Sequence, residues 1–351
     1  MINTKNITIS TKDKIGLMSN LYTMLSAGIP ILETVNSILE DTKGNLRKVL
    51  LVMKEDLMQG QHLAVSFAKF PRIFDKVTVN ILKASEEAGT LDETLKDIKD
   101  NIKKDIEFNN KIKGALIYPV FIMIVFLAVL LMILVVVVPK ISSVFERMNV
   151  PLPLPTKIMI FMSKALISYT IPLVLGTGFL IFISIFLFKR NKREFISRFT
   201  SLPGISKMAE KVDLTRFTRS LYLLLNAGLP ITSALELTQE VVAKKSMYKA
   251  IVHAKDMVYA GKSLSDGLKD NKQIIPSIMI KIIEAGERTG SLEKSMADVS
   301  EYLDYEVSNS LKTLTALIEP LMLVLVGVAV GGMMMAIISP IYGLVGQIGG
   351  K

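Results

Sequence analysis

The sequence predicts an all-α integral membrane protein with two repeated cytoplasmic helical bundles and three transmembrane helices. Three observations lead to this fold class. Half of the 351 residues are hydrophobic and the mean hydropathy is +0.44, which is high for a soluble protein. The apolar residues are concentrated in three long blocks, and the chain contains an internal repeat that includes two of those blocks.

The repeat is clearest where residues 21–31 return as residues 221–231, with seven of eleven positions identical. With one residue inserted, the correspondence continues to a second glycine turn and then to Pro119 and Pro320. Each of these prolines lies at the start of a long apolar block. The repeated unit is therefore a polar helical region followed by a membrane span.

The polar regions, residues 1–114 and 189–313, have apolar residues at the three-to-four spacing of amphipathic helices. Glycines are placed to end helices in the left-handed conformation, and prolines to begin the next helix. The predicted structural turns contain Gly28, Pro30, Gly89, Gly228, Pro230 and Gly290. Each polar region is therefore predicted to be a helical bundle.

The predicted transmembrane helices are residues 115–138, 165–188 and 314–338. Residues 120–138 lack any polar side chain, and sixteen of these nineteen are Val, Leu, Ile or Phe. Their insertion is worth about −5 to −10 kcal/mol. The middle block has no counterpart in the repeat, and it returns the chain between two copies that run in the same direction.

Basic residues predict the orientation of these spans. Lysines and arginines are dense before the first span and after the second, and sparser in the intervening residues 139–164. By the positive-inside rule both bundles are cytoplasmic, residues 139–164 form a short periplasmic loop, and the tail 339–351 is periplasmic. The net charge of +10 is largely explained by these membrane flanks, so nucleic-acid binding is the weaker interpretation.

Acidic residues before the second turn of each copy are candidate contacts for a basic partner. They are Glu86, Glu87, Glu284 and Glu287. A solvated helix face is the simpler interpretation of these residues, and it is the favoured one.

Glu319 is the single acidic residue placed within a predicted span, at the position that Tyr118 occupies in the first copy. A carboxylate in lipid is costly and usually functional. Glu319 is a candidate contact for a cationic group on a membrane-embedded client, although it lies close enough to the boundary to snorkel. In the same span, Gly327 and Gly331 form a small-xxx-small pattern that predicts helix packing.

The sequence offers no recognisable catalytic chemistry. Cysteine and tryptophan are absent, and His62 and His253 have no neighbours at metal-ligand spacing. We therefore expect no catalytic residues, no cofactor and no metal site, and we expect that the protein is not an enzyme.

The sequence resembles the inner-membrane platform protein family of type II secretion systems and type IV pili, the GspF/PilC family. The motifs that carry the resemblance are residues 25–30 with 225–230, residues 86–91 with 286–292, residues 318–320 and residues 339–341. One departure is Ser85, where the second copy has Gly286. The short N-terminal region is more similar to type IVb pilus or competence-pseudopilus members.

The resemblance implies a multi-pass protein of the bacterial inner membrane. It also implies four kinds of partner: a hexameric cytoplasmic secretion ATPase, pilin or pseudopilin subunits, other inner-membrane assembly proteins and further copies of the chain. The platform would couple the ATPase to extraction of pilins from the bilayer and to their polymerisation. A transporter or channel subunit with two regulatory bundles is the alternative, and a sensor or scaffold without a motor partner is a third.

Overall fold

A computed structural model describes residues 4–147, 154–169 and 205–348, together with the isolated positions 172, 175, 179 and 183. Within these residues the chain forms helices joined by turns and contains no β-strand, so the all-α prediction is confirmed. The chain divides into two compact units. The helical unit contains Met1–Asn110 and Ile196–Val307, and the apolar unit contains Lys111–Phe195 and Ser308–Lys351.

The repeat in the sequence is also a repeat of helices. The first copy consists of α1 (Thr11–Ser26), α2 (Ile31–Glu40), α3 (Gly44–Met58), α4 (Leu63–Ala68), α5 (Lys76–Ala88) and α6 (Leu91–Met132). The second copy consists of α9 (Ile205–Asn226), α10 (Ile231–Thr238), α11 (Lys245–Tyr259), α12 (Leu264–Lys269), α13 (Ser277–Thr289) and α14 (Leu292–Ile348). The order of the helices matches from one copy to the other, and the third, fourth and fifth helices have the same length in both copies.

Glycine chemistry sets the helix ends in both copies. Gly28 and Gly228 have φ values of 81° and 80°, in the left-handed region that only glycine adopts without strain. The next residue closes the turn: the N–H of Ile29 donates to the carbonyl of Met24 at 3.0 Å, and Leu229 repeats this bond. Pro30 and Pro230 then occupy the N-cap positions of α2 and α10. Gly89 and Gly290 end α5 and α13 with φ values of 74° and 68°.

The two copies share one hydrophobic core. In the first copy Phe67 and Phe74 are fully buried, with ring centroids 4.0 Å apart. In the second copy Phe217 of α9 is equally buried, and α9 packs against α5 of the first copy. The bundles that the sequence predicts as two modules therefore form a single compact unit.

The apolar unit differs from its sequence prediction at residues 139–164. The predicted short loop is mostly helical: a π-helical turn (Ile133–Val137) leads into α7 (Val138–Arg147), and α8 covers Leu154–Ser168. Pro155 lies in the first turn of α8, where its missing N–H breaks no helical hydrogen bond. Pro139 directly follows the π-helical turn, in a helix that continues through it.

The π-helical turn is tied to the helix that follows it. Within the turn the N–H of Val138 donates to the carbonyl of Ile133, five residues back. The Leu134 carbonyl accepts from the buried hydroxyl of Ser163 at 2.6 Å. Met159 and Ile160 of α8 pack against Leu134 nearby.

Two helical segments, Leu91–Val144 and Leu292–Met335, are long and apolar enough to cross a membrane. The first contains the predicted span 115–138, and the second covers the predicted span 314–338 up to Met335. The second predicted span, 165–188, lies largely outside the described residues, so the count of three stays a prediction. Helix α14 continues to Ile348, so residues 339–348 of the predicted tail are helical.

Candidate interaction surfaces

Two of the acidic candidates bind backbone amides inside the helical unit. Glu86 accepts from the N–H groups of Leu63 and Ala64, at 2.5 and 2.9 Å. Glu287 does the same in the second copy, accepting from Leu264 and, at 3.0 Å, from Ser265. Each carboxylate thus satisfies the free amides at the start of a short helix, α4 or α12. A partner contact for these two residues stays a prediction, and both already have internal partners.

The other two acidic candidates lie in different surroundings. Glu284 pairs with Arg288 at 2.6 Å and with Lys269 at 3.4 Å. Glu87 is exposed on α5 and forms no ion pair among the described residues. Of the four glutamates before the turns, Glu87 is therefore the one most open to an outside partner.

Glu87 lines a cleft of about 770 Å³ between the two copies. One wall is α5, and the other is the glycine–proline turn between α9 and α10. The structure thus brings Glu87 of the first copy together with Gly228 and Pro230 of the second. The charged residues of the lining are Lys76, Lys83, Glu87, Glu236 and Glu240.

A salt bridge crosses this inter-copy cleft. The Nζ of Lys76 lies 2.9 Å from Oε1 of Glu240, and both side chains are more than half exposed. An exposed pair of this kind contributes about 0–1 kcal/mol. Either charge can therefore exchange its partner for one on a docking protein at little cost.

Arg219 forms a contact between the copies that the sequence did not predict. Its side chain is 6 % exposed, and its guanidinium binds Asp105 of α6 and Asp304 of α14, each at 2.5 Å. The ring of Phe108 lies beneath it, 5.5 Å from its centre. One arginine therefore joins the long helices of the two copies. The available signal was a break in the repeat, since the matching first-copy residue is Ser19.

A second polar contact between copies involves Asp97 of α6. Its carboxylate accepts from the side-chain amide of Asn226 at 2.8 Å. Burial raises the pKa of Asp97, and the nearby charge of Asp100 raises it further. The hydrogen bond from Asn226 opposes this shift but does not cancel it.

Glu319 lies in the apolar unit, on a crevice of about 630 Å³ that we call the boundary crevice. Its repeat mate Tyr118 lines the same crevice. The lining consists of Lys111, Ala115 and Tyr118 from α6 with Ser308, Leu311, Lys312, Thr315, Ala316 and Glu319 from α14. The structure thus places the two mates of this repeat position in one cavity.

Gly327 and Gly331, further along α14, have open surroundings. A Cβ built on either residue would meet no atom within 4 Å. Among the described residues no helix packs closely on them, and the helix contact predicted there stays a prediction. Likewise, in the described ranges no group of three His, Cys, Asp or Glu side chains is arranged to hold a metal ion.

Comparison with known families gives a match in each copy. The family described as "Type II secretion system (T2SS), protein F" matches residues 17–139 and 217–340. The chain belongs to this family. Each matched segment of the protein F domain begins in the first long helix of its copy, α1 or α9, and reaches past the apolar start of α6 or α14.

Relatives of this protein F family member extend over nearly its whole length. The type IV pilus assembly protein PilC of Pseudomonas aeruginosa is 30 % identical over 94 % of this chain and 89 % of its own length. PilC of Myxococcus xanthus is 27 % identical over 97 % of this chain and 82 % of its own. The type II secretion system protein F of Vibrio cholerae is 26 % identical over 95 % of this chain and 82 % of its own length.

Proposed function

We propose that this protein is an inner-membrane platform for the assembly of a pilus or pseudopilus. The observation that carries the proposal is the protein F family match, which occurs once in each copy. The relatives' names support it, since they are type IV pilus assembly and type II secretion proteins. The platform has no catalytic role of its own in this proposal.

The helical unit is the cytoplasmic part of the platform, and it receives motion from a hexameric secretion ATPase. The apolar unit holds the membrane-embedded pilin or pseudopilin as the subunit leaves the bilayer. The unbroken helices α6 and α14 support this division, because each begins with polar turns and continues into an apolar span. Other inner-membrane assembly proteins and further copies of the chain complete the assembly.

The proposed topology places the N-terminus in the cytoplasm and the C-terminus in the periplasm, with three spans. The natural absence of cysteine allows a direct test by single substitutions labelled from outside intact cells. We expect protection at Lys48→Cys on α3 and labelling at Gln347→Cys. Labelling of Lys48→Cys from outside would contradict the orientation.

The function itself is tested by deletion and complementation. Loss of the gene should abolish extracellular fibres or secretion while the ATPase and the pilin are still produced, and the wild-type chain should restore them. Normal fibres in the deletion strain would exclude the platform role.

Coupling to the ATPase is tested by crosslinking from matched positions in the two copies. Glu87 and Arg288 occupy the same place in the last turns of α5 and α13, and both are exposed. At least one of Glu87→Cys, in the first copy, and Arg288→Cys, in the second, should crosslink to a co-expressed ATPase. If only one of them does, the copy that carries it is the one that contacts the motor. If neither position nor others around the inter-copy cleft crosslinks while fibres still form, direct coupling through this unit is wrong.

A further inference from the structure

The boundary crevice is built from equivalent faces of the two copies. Lys111 corresponds in the repeat to Lys312, Ala115 to Ala316, and Tyr118 to Glu319, with an offset of 201 residues in each pair. The first two pairs are identical. The symmetry of the crevice is broken at the third pair, where one copy supplies a phenol and the other a carboxylate.

The crevice is charged differently at its two levels. Lys111 and Lys312 precede Tyr118 and Glu319 by seven residues, which is about 10 Å along a helix. The lysines adjoin the polar turns, and Glu319 adjoins the apolar span. Glu319 has no hydrogen bond or ion pair among the described residues. A carboxylate at this depth is costly unless a cation accompanies it.

The backbone adds two further acceptors at the same place. Proline has no N–H, so the carbonyl four residues before it loses its usual helical partner. Pro119 and Pro320 both lie inside continuous helices. The carbonyls affected belong to Ala115 and Ala316, the two alanines that line the crevice.

The crevice therefore collects hydrogen-bond acceptors at an apolar depth. Two carbonyls that lack their usual helical N–H partner and one carboxylate match a group that has only donors and carries one positive charge. An ammonium group has three donors and no acceptor, and a guanidinium has five. An anion would meet the Glu319 carboxylate, which makes it a poor occupant of this level.

We infer that the boundary crevice binds a cationic group carried by an apolar transmembrane helix of the fibre subunit. Glu319 pairs with the cation, the carbonyls of Ala115 and Ala316 accept its remaining donors, and the alanines leave room for the helix backbone. This inference rests on the proposed function, since it takes the pilin or pseudopilin as the occupant. It adds the chemical feature by which the platform recognises its client.

Model helices test the inference with the full chain in lipid nanodiscs. The probe is a synthetic Leu/Ala helix of roughly 20 residues that carries a single Lys near its cytoplasmic end. The comparison probe has Gln at that position. The wild-type chain should bind the Lys helix at least about tenfold more tightly than the Gln helix, equal to about 1.4 kcal/mol, as measured by energy transfer between labelled partners.

Three variants locate the preference in Glu319. Glu319→Gln keeps the shape and should bind both helices equally, while Glu319→Asp should retain a preference for Lys. The double exchange of Tyr118→Glu with Glu319→Tyr moves the carboxylate to the equivalent face of the other copy. It should restore the preference, because the surrounding alanines, prolines and lysines are the same on both sides.

Three outcomes would overturn the inference. Equal binding of the Lys and Gln helices by the wild-type chain, or an undiminished preference in Glu319→Gln, would mean that Glu319 only snorkels to the boundary. A preference seen in phosphatidylglycerol but lost when phosphatidylethanolamine is present would assign the crevice to a lipid ammonium group. Intact helical content in each variant, measured by circular dichroism, confirms that it is folded.

The test separates this inference from the proposed function. If the deletion strain lacks fibres but the wild-type chain shows no Lys preference, the platform role stands and the crevice inference is wrong. If the preference is present but fibres do not depend on the gene, the crevice binds cations and the client is not a fibre subunit.

Discussion

The two copies build the same helix pair with different contacts. In the first copy, Ser66 of α4 donates to the buried carboxylate of Asp56 on α3 at 2.9 Å, and Lys69 pairs with that carboxylate at 2.5 Å. In the second copy, the residue matching Ser66 is Gly267, and a Cβ there would lie 2.7 Å from the Cα of Ala254 on α11. Both copies therefore have a polar pair at this helix contact, Lys69 with Asp56 or His253 with Asp270, and the second copy adds a close backbone approach at Gly267.

The difference shows which contacts the fold requires and which belong to one copy. Both copies keep the glycine turns and the glutamate that caps the fourth helix, Glu86 or Glu287. The helix-pair contacts differ between the copies, and the Arg219 bridge that joins them has no counterpart at Ser19 of the first copy. Contacts shared by the copies set the bundle, and contacts that differ adapt each copy to its neighbours.

The largest expected effect is at Arg219. Arg219→Met removes the bridge and leaves Asp105 and Asp304 facing an apolar side chain. We expect a loss of about 2–3 kcal/mol in the free energy of unfolding, at the lower end because Asp105 is half exposed. The measurement is thermal unfolding of the detergent-solubilised chain, followed by circular dichroism. Ser19→Ala is the matched first-copy control, and an equal effect of both substitutions would remove the special role of Arg219.

A smaller effect is expected for substitutions that give one copy the residue found at the matching position of the other. Gly267→Ser introduces the first-copy residue into the closely packed pair, where the backbone of Ala254 must move to accept it. We expect a destabilisation of about 1–3 kcal/mol by the same unfolding measurement. Ser66→Gly is the reverse exchange, and it should cost the hydrogen bond to Asp56 and the helix propensity lost with glycine inside α4, about 1–2 kcal/mol together. No effect of Gly267→Ser would show that α11 and α12 adjust freely.

The glutamate caps should behave alike. Glu86→Gln and Glu287→Gln each replace one acceptor oxygen with the NH2 group of an amide, which then faces a backbone N–H and cannot accept from it. We expect a loss of about 1–2 kcal/mol for either change, and the two losses should agree within about 0.5 kcal/mol. Clearly unequal losses would contradict the equivalence of the two copies at this position.

The smallest effect is the pH dependence due to Asp97. Since burial raises its pKa in the folded chain, the protonated form favours folding. This contribution is fully present below the ordinary aspartate value of about 3.9 and is lost as the pH rises through the raised pKa. Asp97→Asn removes the titration, so its unfolding temperature should fall less than that of the wild type between about pH 4 and neutrality. Asp298→Asn, at the equivalent second-copy position, should follow the wild-type curve.

Features of the fold that depend on residues close together in the sequence were predictable from the sequence. Gly28 and Pro30 lie within one turn, and local backbone chemistry determines their place. The apolar blocks depend only on composition, so their membrane character was also accessible. The helical course of residues 139–147 and 154–164 was not, because a proline in a first turn, such as Pro155, resembles a loop proline when only the sequence is read.

The interaction surfaces depended on contacts between distant residues. The carboxylate of Glu86 reaches amides 22 and 23 residues away, and Arg219 reaches Asp105 across 114 residues. Neither pairing has a periodic signature. Glu319 was found because an acidic residue stands out in an apolar block, but its shared crevice with Tyr118 required the structure.

The π-helical turn at Ile133–Val137 changes how the first span presents its side chains. Each residue of an α-helix advances the direction of its side chain by about 100°, and a π turn accommodates one residue more than a regular turn. A helical wheel drawn through residues 115–147 therefore goes out of phase at Ile133. Substitution scans that choose positions by wheel angle need separate wheels for the two sides of this turn, so that lipid-facing positions beyond it are not mistaken for packed ones.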